Sequence, residues 1–295
     1  MAERPVIRLK KHEHKRVLHG HAWVFSNEIE AVEGSPETGA VVAVQDAAKN
    51  FLGVGFYNKV SLIAVRMLSR ADEAIDRNFF ARRIGDAAAL REKLFPGATA
   101  FRLAHGESDF LPGLIIDRFN EYYAIQTLST GMEKFQDEIC GILAEEYGAK
   151  GVIAKNDSRL RTLEGLERET KILHGAFTPV QITDGEARYE IDVAAGQKTG
   201  FYFDQRENRK AIRRFAPGAR VLDCYCNAGG LCAPCRAGGG AGGYRHRLLR
   251  GGGCGGEAER GNQRRCGKVY VSRRGRCGED ERIRRTEGKV RPRRA

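Results

Sequence analysis

Apolar residues at strand or helix spacing run through the first 230 positions of this 295-residue chain and then stop, so any packed core has to be built from that part. Past residue 230, 16 of 65 residues are Arg and 15 are Gly, which leaves too little apolar surface to offset the entropy of ordering the backbone. Residues 231–295 are therefore expected to be an aberrant, disordered tail rich in Arg, Gly and Cys. The part before it has room for two or three compact units.

Charge divides at the same place. The formal net charge is +12, and residues 231–295 account for all of it with 18 basic against 6 acidic side chains. Residues 1–230 hold 32 of each sign, so the basic isoelectric point says nothing about what the body binds, and only local clusters there can bear on a nucleic acid. No apolar run approaches the length of a membrane span, and MAERPVIRLKKHEHKR carries charges where a signal peptide needs apolar residues. A cytoplasmic protein with no membrane partner is expected. Five of the eight cysteines lie in the tail; Cys232-x-x-Cys235 has metal-ligand spacing but no second pair or histidines to match, so no metal site is expected.

Residues 1–70 alternate apolar and polar in VIRL, HAWVF, AVVAV, FLGVGFY and LIAVRML, with turn-forming GSPETG and DAAKN between them. This reads as a small, barrel-like β domain. Its first loop gathers Lys10, Lys11, Lys15, Arg16 and His21 just ahead of Trp23, the mixture of cations and aromatic that a phosphate-contacting surface uses; a solvated loop explains it equally well. Residues 73–178 read as a central α+β domain: helical spacing from Asp72 to Leu94, strand-like FRLAH, LIIDRF and EYYAIQTL, a second helix in MEKFQDEICGILAEEYG, then the strand GVIAK. The His105-Gly106-Glu107-Ser108-Asp109 run is a tight loop on this reading. Residues 180–230 open a third unit with a hairpin turning at Asp184-Gly185, an aromatic-rich extended segment, a helix from near Asp204, and a strand ending at Asp223 before a Gly-ended loop. An acid at a strand end ahead of a glycine loop is how a doubly wound α/β sheet opens its nucleotide crevice.

Four stretches, GHAWVFSNEI (20–29), LAHGESDFLPGLIIDRF (103–119), GQKTGFYFDQREN (196–208) and VLDCYCNAGG (221–230), together resemble the bacterial 23S ribosomal RNA cytosine-5 methyltransferases that carry an N-terminal PUA domain. The resemblance covers residues 1–230. It implies a PUA domain at 1–70 with Lys10, Lys11, Lys15, Arg16 and His21 facing RNA. It further implies an RNA-recognition-like central domain and the start of a Rossmann-type domain for S-adenosyl-L-methionine, with ribosomal RNA, not DNA, as the partner. The cofactor pocket would be lined by Lys198, Thr199, Phe201, Phe203, Gln205, Arg206, Asp223, Cys226 and Gly229. Because strand faces alternate, one of Phe201 and Phe203 is expected in the core.

Carbon 5 of cytosine is a weak nucleophile. Enzymes of this kind add a cysteine thiolate to carbon 6, and the resulting enamine takes the sulfonium methyl group. The family's nucleophile and its Asp-Pro-Pro turn lie downstream of the glycine loop, and no Asp-Pro-Pro occurs in these 295 residues, so no catalytic residue is assigned. Read one base forward, the tail regains the missing pattern. The stretch 232–236 can encode Ala-Leu-His-Ala, 243–248 Val-Thr-Gly-Ile-Asp, 267–277 Lys-Phe-Thr-Phe-Arg-Ala-Gly-Asp-Val, and 288–294 Lys-Phe-Asp-Leu-Val-Val. One inserted base near codon 231 accounts for all four. Two functions are then expected to compete: an rRNA methyltransferase whose present product is inactive, and a non-catalytic RNA-binding PUA module.

Overall fold

The structure is a computed structural model; it describes residues 4–185, 187–196, 198–215, 217, 219–223 and 269–273, the last two stretches by their backbone. The first unit comprises β1 (Val6–Leu9), α1 (His14–Leu18), β2 (Trp23–Phe25), β3 (Ile29–Glu33), β4 (Val41–Gln45), β5 (Phe51–Tyr57) and β6 (Ile63–Ser69). Its six strands lie in the order β2-β6-β5-β4-β1-β3, antiparallel except for β1 beside β4, where Val6 faces Ala43. The alternation read from the sequence is what closes the core: Ile7, Leu9, Val24, Val42, Val44 and Val65 point to one side and are fully buried. The basic stretch differs from the expected loop, since α1 turns through it and buries Val17 in that core.

In the second unit α2 (Arg77–Leu94) starts at Asp76, whose carboxylate accepts the Phe79 N–H at 3.0 Å. This N-cap, four residues inside the expected start, satisfies one of the free donors of the first turn. Then follow β7 (Ala100–His105), β8 (Leu114–Phe119), β9 (Tyr122–Thr127), α3 (Thr130–Glu133), α4 (Gln136–Tyr147), β10 (Gly151–Asn156), α5 (Leu160–Leu163) and β11 (Glu169–Gly175). The sheet order is β11-β10-β9-β8-β7. The pair β9 and β10 is parallel, which is why the chain needs the α3–α4 crossover between them.

Both faces of this sheet are covered. Phe101, Leu103, Leu114, Ile116, Tyr123 and Ile125 pack under α2 and α4, and the alternate set Ala100, Phe119, Ala124 and Ile153 packs under the hairpin β12 (Val180–Asp184) and β13 (Ala187–Ile191). The same helical core admits Phe56 and Leu68 of the first unit. A Cβ on Gly131 in α3 would stand 2.1 Å from the Phe56 ring, so only glycine permits that approach.

Beyond the hairpin come α6 (Arg206–Ile212), β14 (Ala219–Asp223) and β15 (Val269–Arg273). In the tail the described residues form β15, antiparallel to β14 with Asp223 opposite Val269. Val-Tyr-Val is a β-branched and aromatic run that suits a strand, within a tail otherwise outside the described residues. The pairing means that the one described partner of β14 runs antiparallel, not parallel as in a doubly wound sheet. The rest of the tail, with its cysteines, lies outside the described residues. Among the described residues no helix is long and apolar enough to cross a membrane.

Candidate functional site

Residues 192–210 lie against the hairpin-covered face of the central sheet, held by buried polar groups. Asp117 on β8 is fully buried; Arg102 on β7 grips it with Nε on Oδ1 at 2.9 Å and Nη2 on Oδ2 at 3.0 Å, and the Thr199 hydroxyl donates to the same Oδ2. Lys155 on β10 donates its ammonium to the Ala194 and Gly196 carbonyls at 2.7 and 2.8 Å. Burial draws the Lys155 pKa below its ordinary value, against the pull of Asp157 and Asp192. Arg206 donates to the Ala100 carbonyl at 2.7 Å, lies 4.7 Å over the Phe95 ring, and shares Asp184 with Arg209. The turn is tight enough that a Cβ on Gly196 would sit 2.8 Å from the Gly200 Cα.

These contacts sort the residues expected to hold a cofactor. Residues 201–205 are a bend and a short 3-10 turn, not an extended strand, so the expected alternation of faces does not hold. Phe201 is buried among Tyr189, Arg209 and Phe203, and Phe203 packs 5.3 Å from Phe119. Thr199 has its hydroxyl engaged by Asp117, and Arg206 is occupied by Ala100 and Asp184. Lys198 has φ +52° and its ammonium lies 4.6 Å over the ring of the half-buried Tyr202. The Gln205 side-chain Oε1 accepts from the Asn208 amide at 2.9 Å. The helix begins at Arg206 with Gln205 as N-cap and no side-chain cap, so Asp204 stays exposed and does not cap it. Asp223 ends β14 as expected, with its side chain outside the description; Cys226 and Gly229 lie outside the described residues altogether.

The basic cluster of the first unit also divides. Lys11 and Lys15 are exposed, while Lys10 donates to the Asn27 carbonyl at 2.7 Å. Arg16 pairs with Glu28 at 2.5 Å, reaches the His21 ring at 2.7 Å and covers Phe25, so Arg16 and His21 are largely spent on holding α1 to the strand that follows. Trp23 donates its indole N–H to Glu107 at 2.7 Å, in the loop that the sequence offered as a mere turn. Arg66 on β6 lies between Glu107 at 3.2 Å and Glu164 at 2.8 Å, and Glu164 also accepts from Ser61 and Asn58. No local pattern announces this network, because its members are 41 to 106 positions apart.

Residues 7–70 match the family described as PUA-like domain. Over 229 residues, 76% of this chain and 58% of the relative, it is 37% identical to the ribosomal RNA large subunit methyltransferase I of Tolumonas auensis. Against the protein of the same name in Shewanella amazonensis it is 39% identical over 228 residues, with the same shares covered. Over three quarters of its length the chain is thus similar to proteins of that name, and it spans 58% of their length. Among solved structures, a candidate S-adenosylmethionine-dependent methyltransferase from Streptococcus mutans superposes with a TM-score of 0.65 at 20% identity, covering 80% of this chain and 61% of that one. A candidate methyltransferase solved with S-adenosylhomocysteine gives 0.66 at 19%, covering 80% and 60%. At that identity the likeness is one of fold.

Proposed function

We propose that the gene encodes an S-adenosylmethionine-dependent methyltransferase acting on carbon 5 of a cytosine in 23S ribosomal RNA, and that the 295-residue chain itself binds RNA without transferring a methyl group. The observation that carries the first half is the match of 36–39% identity to rRNA methyltransferases over 228–229 residues, 76% of the chain. The second half rests on the tail: residues 231–295 contain no Asp-Pro-Pro and no α/β periodicity.

The described wall suits S-adenosylmethionine in its donor set. Lys198 offers a cation for a carboxylate, Tyr202 a ring for a flat base, and Gln205 an amide, while Thr199, Phe201, Phe203 and Arg206 fix the turn that carries them. When bound, the cofactor supplies an electrophilic methyl group. Asp223, at the end of β14, would add a carboxylate to that pocket. No metal takes part in this reading, and the partner is ribosomal RNA met in the cytoplasm.

The test is methyl transfer from labelled S-adenosylmethionine to unmodified 23S rRNA. The chain as it stands should give none, and the product of the gene with one base removed near codon 231 should give transfer to a cytosine. Transfer by the present chain overturns the inactivity; none by the corrected product overturns the enzyme.

A further inference from the structure

A cleft of about 650 Å³ runs between α1 and β6 of the first unit and α2 of the second, lined by His19, His21, Arg70, Arg83 and Phe110 among others. Two of its residues are unusual. Phe110 is 63% exposed and has φ +55°, the left-handed region, where a bulky side chain is strained and rarely found. Its neighbours enforce this. Asp109 is buried and gripped by both terminal nitrogens of Arg91, with the His105 N–H donating to it at 2.6 Å, and Leu111 is fully buried. Between two fixed neighbours the ring has nowhere to go but outward.

Arg83 is the second. Its guanidinium lies 5.3 Å from the Phe79 ring and 5.2 Å from the Phe110 ring. Its Nε is buried without an acceptor, and it makes no hydrogen bond among the described residues. Glu73, the acid lining the cleft, is already held by Ser69 and Arg82 at 2.5 Å each. Arg70 spends one nitrogen on the Val17 carbonyl. The cleft therefore has cations in excess, an arginine with donors to spare, and an exposed ring beside it on a backbone fixed at both neighbours.

Resting on the reading of the chain as an RNA binder, we propose that this cleft seats one unpaired nucleotide of the RNA, the base stacked on Phe110 and the phosphate met by Arg83 with Arg70 and His19. A face of one aromatic ring accepts any base, and an arginine fork suits a phosphate. Backbone strain at a solvent-facing residue costs stability and is retained where the side chain's position is needed. Phe110 is a binding residue on this account, and Arg83 serves both as its platform and as a phosphate contact.

The strain separates a binding role from a structural one. Phe110→Gly relieves the left-handed penalty while deleting the ring, and Phe110→Trp keeps a ring. A fluorescently labelled single-stranded RNA of mixed sequence, titrated with the full chain, reads binding, and thermal melting reads the fold. The glycine variant should bind on the order of 10-fold more weakly with a melting temperature no lower than the parent, and the tryptophan variant should bind as the parent does. Arg83→Gln should weaken binding and lower the slope of log affinity against log salt by about one. If the unaltered chain binds RNA and the glycine variant binds it equally well, the cleft is overturned and the RNA-binding reading stands; if the unaltered chain binds no RNA, both fall. Binding lost in the glycine variant together with a lowered melting temperature would make Phe110 structural and overturn the proposal as well.

Discussion

The indole N–H of Trp23 donates to Glu107 at 2.7 Å across 84 positions of sequence, tying the first unit to the second at the same point where Arg66 bridges Glu107 and Glu164. Glu164 is nearly inaccessible and serves Arg66, Ser61 and Asn58 together. Removing the buried carboxylate leaves Arg66 with Glu107 alone, its longer contact, so Glu164→Gln should cost about 2 kcal/mol. Trp23→Phe, which deletes one hydrogen bond and keeps the packing, should cost about 1 kcal/mol. Urea unfolding checks both, and equal losses would show that the ion pair is not the stronger tie.

Thr199 competes for no ligand if its hydroxyl belongs to Asp117. Thr199→Val should lower stability by about 1–2 kcal/mol, since Asp117 then keeps Arg102 alone. The turn should also loosen, so trypsin should cut after Lys198 sooner than in the parent. Thr199→Ser should behave as the parent; a cleavage rate unchanged in the valine variant would mean that Lys155 alone holds the segment.

Acid should act through Glu133. Burial raises its pKa, but hydrogen bonds from Arg161 and Thr127 outweigh that and hold it below the ordinary 4.5. The unfolded chain therefore takes up the proton first, so the pair's contribution is complete above about pH 4.5 and is lost as pH falls through the lower folded value. Arg161 is almost wholly buried and divides its donors among Glu133, Thr127 and the Glu167 carbonyl. Glu133→Gln should be less stable than the parent at pH 7, and the gap should narrow below pH 4.5. A gap that stays constant down to pH 3 would refute the coupling.

Correction of the reading frame gives the fourth test. With one base removed near codon 231, the product should bind S-adenosylmethionine in a calorimeter, where the present chain should show little or no heat. Asp223→Ala in the corrected protein should then weaken binding by about 1–3 kcal/mol. Equal affinity in the two proteins would place the cofactor elsewhere.

What could be read from the sequence was local. The helix ending at Leu94 and the hairpin turning at Asp184-Gly185 are both present, because spacing and turn chemistry act over a few residues. The strand β11 escaped notice: Glu169–Gly175 is mostly exposed along an edge and carries no apolar alternation. The short helix α1 was hidden in a run of charges, of which Val17 alone reaches the core. At the candidate site the aromatic segment is legible in the sequence, but the partners of Thr199, Phe201 and Arg206 are not, since each lies on a strand or hairpin far away in sequence. Asp117 and Lys155 gave no signal at all; a buried acid or lysine in an apolar run looks like any strand residue facing solvent.

The junction between the first two units has a bearing on how such proteins can be assembled from parts. A graft that ended at residue 70 would carry away Arg66 without either carboxylate, Trp23 without its acceptor, and the Phe56 ring without the glycine floor that receives it. The recipient would inherit an unpaired guanidinium and a bare aromatic patch in place of a finished surface. Exchange between genes, or between designs, is therefore favoured where both units travel together with the segment to about residue 210, whose hairpin covers the far face of the central sheet and whose turn partners Asp117 and Lys155, and the seam that sequence families draw after the PUA-like domain is a poor place to cut.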